Sequence, residues 1–156
     1  MAAALGLIAY RPRSEKELRD RLRRRGVDPT LIESTAARLS ELHLLDDRAF
    51  AASWVESRNR TGPRSRRLLA FELRAKGVAR GSADEAVEVV NEADAAYRAA
   101  GKRARVLAGR PFQEFRRKVG DLLLRRGFTY ETANQTVKRL WEETSGAGHD
   151  EGSDAV

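Results

Sequence analysis

The sequence predicts an all-α chain, three tandem three-helix repeats forming an elongated, curved array. Three observations lead there. Gly26, Gly77 and Gly127 stand 51 and 50 residues apart, a period of the length that marks repeat architectures. Around each glycine, apolar residues return at the same offsets. No segment alternates apolar and polar residues as a half-buried strand does.

The offsets define the elements. Four residues before each glycine stands Leu22, Leu73 or Leu123, and eight before stands Leu18, Leu69 or Val119. Val27, Val78 or Phe128 follows immediately. Six residues on come Ile32, Ala83 and Ala133, ten on Ala36, Val87 and Val137, and thirteen on Leu39, Val90 and Leu140. Spacings of four and three place these residues on one face of a helix. A glycine between two such faces supplies a helix end where positive φ is cheap. Each copy therefore contains a helix, a glycine turn and a second helix.

In chain order, the first helix is expected over Ala2–Tyr10 and closed by Pro12. Ser14 with Glu17 has the capping-box spacing for the second, and Asp28 before Pro29 reads as the cap of the third. Asp46 and Asp47 read as caps of a helix over 46–58, with Phe50 and Trp54 one turn apart and Pro63 beyond. Ser82 with Glu85 repeats the capping-box spacing in the second copy. A helix over 93–107 follows the spacing of Ala93, Tyr97, Ala100, Ala104 and Leu107, and Pro111 closes it. Thr129 can cap the last helix. The expected units are 1–45, 46–92 and 93–143, with an acidic, disordered tail at 144–156. About 50 residues bury too little surface to be stable alone, whereas stacked copies share contacts.

Charge is distributed by element. The chain carries 30 Lys and Arg against 23 Asp and Glu, with a pI near 10.3, which favours polyanionic partners. Residues 11–25 hold eight basic side chains (Arg11, Arg13, Lys16, Arg19, Arg21, Arg23, Arg24, Arg25) and three acidic ones. Arg58, Arg60, Arg64, Arg66, Arg67, Arg74 and Lys76 continue this in the second copy, and Arg116, Arg117, Lys118, Arg125 and Arg126 in the third. Residues 82–96, by contrast, hold five acids and no base. A helix-turn-helix reader inserts the helix after the turn into the major groove. Here that helix would carry Asp84, Glu85 and Glu88 towards phosphates. The basic middle helices can still touch phosphate backbones without reading bases.

The remaining chemistry is sparse. There is no cysteine, which excludes disulfides, thiolate metal sites and cysteine nucleophiles. His43 reads as a helix-end or packing residue, and His149 lies in the tail. Trp54 and Trp141 read as inter-helix core rather than base-stacking platforms. No phosphate-binding or metalloprotease motif is present, and no run approaches the roughly 20 apolar residues of a membrane span. The expectation is a binding protein: not an enzyme, with no cofactor and no metal, cytoplasmic, and a monomer.

Three stretches, "PRSEKELRDRLRRRGV", "ELHLLDDRAFAASWVESR" and "GPRSRRLLAFELRAKGV", strongly resemble the RecX family, bacterial regulators of the RecA recombinase. The resemblance runs from about residue 5 to 142 and is most specific at 42–78. The third copy departs from it, with "RPFQEF" in place of Pro-Arg-Ser. The resemblance implies a protein that lodges in the groove of the RecA–single-stranded DNA filament. There it would limit filament growth, strand exchange, ATP turnover and co-protease activity. The candidate partner-binding residues are Arg11, Arg13, Arg23, Arg24, Arg25, Arg58, Arg64, Arg66, Arg67, Arg74, Lys76, Arg116, Arg117, Arg125 and Arg126. The alternative is a stand-alone helical array that binds DNA regardless of sequence.

Overall fold

The computed structural model describes residues 1–146, and among them there are nine helices and no strand. They are α1 (Ala2–Tyr10), α2 (Glu15–Arg24), α3 (Pro29–Glu41), α4 (Asp47–Thr61), α5 (Arg66–Ala75), α6 (Arg80–Val87), α7 (Glu92–Val106), α8 (Phe112–Arg125) and α9 (Tyr130–Gly146). They fall into three triplets. Of the expected tail, residues 144–146 are the last of α9, and the remainder, His149 included, lies outside the described residues.

The apolar stripe is the core. Every residue at the offsets four and eight before the glycine, and six, ten and thirteen after it, is buried. Of the three residues that follow the glycines, Val78 and Phe128 are buried and Val27 is half-buried. In the first triplet Leu18 and Leu22 of α2 meet Ile32, Ala36 and Leu39 of α3, with Ala4 and Leu7 of α1 closing the cluster. The three glycines have φ of 77°, 87° and 87°, the left-handed region that costs other residues energy. His43, just after α3, is the exception that takes φ of 56° without being glycine.

The caps correct one expectation. Ser82 does not open α6, which begins at Arg80 with Ala79 as its N-cap and no side-chain hydrogen bond. The cap falls two residues after the glycine in every copy, at Asp28, Ala79 and Thr129. Asp28 accepts from the Thr30 N–H and Thr129 Oγ1 from the Thr132 N–H, while Ala79 offers no acceptor. Helix α6 is also the shortest, ending at Val87. Asn91 must cap α7, accepting from the Asp94 N–H, so the chain turns between the two helices. Val90 therefore reaches the core from that turn, fully buried, and not from α6.

The described chain divides into two compact units, Met1–Ser57 with Leu69–Glu88, and Arg58–Leu68 with the described residues from Val89. In the first, α2 packs on α1 and α3; in the second, α7, α8 and α9 pack on one another.

Each unit contains the same joint between successive copies. In the first unit, the Ser14 hydroxyl donates to the Lys76 carbonyl, and Asp47, at the start of α4, accepts from the Glu15 N–H at 2.9 Å. In the second unit, the Ser65 N–H donates to the Arg126 carbonyl at 3.0 Å. Glu92, at the start of α7, accepts from the Arg66 N–H at 2.9 Å. Thus the middle helix of one copy has a free N–H capped by the leading helix of the next, satisfying a donor that the helix itself cannot. Ser14 and Ser65 are both buried and also accept from the Glu17 and Leu68 N–H groups within their own helices.

The third copy has no such serine. Its middle helix starts a turn earlier relative to the glycine, after Pro111. The position equivalent to Ser14 and Ser65 is Phe115, fully buried with its ring 5.2 Å from that of Trp141. A residue that joins copies in the first two instead packs inside the third.

Candidate functional site

The candidate surface is the set of basic side chains on α2, α5 and α8 and on the segments leading into them. The structure separates these into two groups by what each cation touches.

One group is engaged by the fold. Arg13 Nε donates to the Leu7 carbonyl at 3.0 Å; its guanidinium lies below the ordinary arginine value because it is partly desolvated and because Arg11, Arg21 and Arg25 crowd it. Arg64 donates to the Gly62 carbonyl, Arg66 to the Val90 carbonyl and Arg126 to the Pro63 carbonyl. Lys76 pairs with Glu17 at 2.7 Å and lies over the Trp54 ring, 5.3 Å from its centroid. Arg11 completes that cluster, 3.2 Å from the other Glu17 oxygen. Arg58 is half-buried near the end of α4. Arg11, Arg13, Arg64, Arg66, Lys76 and Arg126 thus hold backbone and joints together.

The other group faces solvent. Arg24, Arg25, Arg67, Arg74, Arg116, Arg117 and Arg125 are exposed and have no ion pair among the described residues. Arg23 is exposed too, 2.9 Å from Asp20. Anchored on the glycines, Arg67 and Arg117 occupy the same place, ten residues before the turn, and Lys16 is their counterpart in the first copy. Sequence reasoning left Lys16 out of the candidate set, although the register identifies it.

In the first unit several of these groups line one polar cleft of about 280 Å³. Arg11, Arg13, Lys16, Arg21, Arg24 and Lys76 supply six cations, against Glu17 and Asp20. Both carboxylates are already claimed, Glu17 by Arg11 and Lys76, and Asp20 by Lys16 and Arg23. Burial pushes the Glu17 carboxyl up, but the hydrogen bonds from Lys76 and Arg11 outweigh it and hold it below its ordinary value. The cleft therefore presents net positive charge to anything that enters it.

The helix after the second turn, α6, offers no comparable surface. On α6 Glu85 pairs with Arg48 at 2.7 Å, and Asp84 lies 4.0 Å from Arg80. The two tryptophans are packing elements. Phe50 is buried beside Trp54, whose Nε1 donates to Glu72, and Trp141 packs edge-on against Phe112 and Phe115. Among the described residues no group of His, Asp and Glu could hold a metal ion, and no helix is long and apolar enough to cross a membrane.

Comparison with known proteins is consistent from residue 1 to residue 137. Three family models match in order: RecX, first three-helix domain, at residues 1–39; second three-helix domain, at 46–87; and third three-helix domain, at 91–137. The regulatory protein RecX of Prosthecochloris aestuarii is 38% identical over 138 residues, covering 88% of this chain and 90% of that one. Its counterpart in Chlorobaculum tepidum is 37% identical over 142 residues, covering 91% and 88%. The crystal structure of RecX from Lactobacillus salivarius superposes with a TM-score of 0.75 over 89% of this chain and 92% of that one, at 24% identity, a likeness of fold.

Proposed function

The chain belongs to the RecX family of regulatory proteins, and from that premise we propose that it restrains the RecA recombinase. In this reading it binds in the groove of the RecA–single-stranded DNA filament. It thereby limits filament growth, strand exchange, ATP turnover and co-protease activity, in homologous recombination, DNA repair and the SOS response. The observation that carries the reading is the recurrence of exposed, unneutralised arginines on the middle helices. Arg24 and Arg25 stand at the end of the first, Arg67 and Arg74 on the second, and Arg116, Arg117 and Arg125 on the third. A filament repeats its own surface, so a protein with repeated cationic helices can engage several places at once. Weak contacts then add through effective concentration. The protein works as a cytoplasmic monomer by occupying a surface, with no catalytic step and no cofactor.

A second reading, a stand-alone DNA-binding array, is favoured by the cationic cleft between Arg13 and Arg24. Binding to bare single-stranded DNA and to RecA-coated DNA, measured at several salt concentrations, separates the two. The filament reading expects preference for the coated strand that survives physiological salt. Tight binding to the bare strand, falling steeply with salt as phosphate contacts do, would replace it with the second.

A further inference from the structure

Six residues before the glycine, the second middle helix departs from the other two. The first copy has Asp20 there and the third has Asp121. In the second copy it is Phe71, which is 61% exposed. The exchange alters charge as well as shape. Asp20 accepts from Lys16 at 2.9 Å and from Arg23 at 2.9 Å, neutralising the bases above and below it. Arg74, the counterpart of Arg23, has no acid at that place and no ion pair among the described residues. The adjacent carboxylate, Glu72, is half-buried and accepts from Trp54 Nε1 at 3.2 Å. Ala75, one turn beyond Phe71, is exposed and extends the apolar strip.

We propose that Phe71 and Arg74 form an anchor for a protein partner. The phenyl ring enters an apolar pocket on that partner, and the guanidinium meets a carboxylate at the pocket's rim. The inference rests on the reading that the target strand is coated with protein. Residues at i, i+3 and i+4 are those a helix presents when it docks on another protein, and an aromatic beside an arginine is the composition of interface hot spots. A strand-binding platform would also pair an aromatic with cations, and Arg67 and Arg74 flank Phe71 on this face of α5, so base stacking is the outcome that the test must separate from the anchor. The absence of a neutralising acid leaves Arg74 complementary to an acidic rim.

The test compares wild type with Phe71→Ala, Phe71→Asp and Arg74→Ala, by fluorescence anisotropy on RecA-coated and on bare single-stranded DNA at one salt concentration. Phe71→Ala is expected to weaken binding to the coated strand at least tenfold. Phe71→Asp, which restores the side chain of the other two copies, weakens it further. Arg74→Ala reduces it as well, and for Phe71→Ala, which leaves the charge as it is, binding to the bare strand and the thermal midpoint stay unchanged. Undiminished binding of Phe71→Ala to the coated strand overturns the anchor alone, and so does an equal loss on both strands, which is the mark of base stacking. A wild-type chain with no preference for the coated strand overturns the filament reading and the anchor with it.

Discussion

Glu17 sits where the first two copies meet, and its charge depends on that position. Lys76 reaches it from the second copy and Arg11 from the segment before α2. Its folded value lies below its unfolded one. The carboxylate therefore stabilises the fold above the ordinary carboxylate value of about 4.3, and this contribution is lost as pH falls through the lower folded value. Glu17→Gln should lower the thermal midpoint at neutral pH and converge with wild type in acid; parallel pH profiles would contradict this. Asp47 shows how far one residue's role was legible. The pair Asp46-Asp47 reads as a cap, and Asp46 does cap α4, accepting from the Arg48 and Ala49 N–H groups. Asp47 instead caps α2, 32 residues earlier, a partnership that only the packing of copies creates. The arginines divide for the same reason. Nothing local distinguishes Arg66, bound to the Val90 carbonyl, from Arg67 beside it in solvent.

Among the elements, the glycine turns carry unequal loads. A Cβ at Gly26 would meet nothing within 4 Å. At Gly77 it would overlap the Lys16 side chain, and at Gly127 it would meet Leu68 Cβ at 2.7 Å and overlap the Ser65 hydroxyl. Gly26→Ala should therefore cost only the left-handed penalty of about 1–2 kcal/mol. Gly77→Ala and Gly127→Ala should exceed it by urea unfolding, and three equal values would show that the turns do not seat on the preceding copy. Leu73→Ala in α5 should cost about 2–5 kcal/mol, because Leu73 is fully buried; an unchanged midpoint would remove it from the core. The helices and their buried faces were legible because the spacing of Leu18, Leu22, Ile32, Ala36 and Leu39 is local and recurs. The start of α6 was not, because Ala79 carries no side-chain signal and Ser82 with Glu85 imitates one inside the helix. The register of Asp28 and Thr129, two residues after their glycines, is the signal that identifies it.

For the whole molecule, the three copies are alike in core and unlike at their edges. Ser14 and Ser65 each serve a joint to the following copy, and in the third copy Phe115 takes their place and packs against Trp141. The departure of "RPFQEF" from Pro-Arg-Ser was visible in the sequence, but its meaning needed the ring contact with Trp141. The basic character of the middle helices was likewise legible, while the division between joint-forming and solvent-facing cations was not. The latter group is the one proposed to engage the filament. The most direct measurement is ATP turnover by RecA on single-stranded DNA, titrated with wild type and with the Arg67→Ala, Arg116→Ala, Arg117→Ala triple variant, both checked for equal helicity and thermal midpoint. Wild type is expected to suppress turnover, and the variant to need at least tenfold more protein for the same suppression. Equal suppression by the two folded proteins would contradict the account.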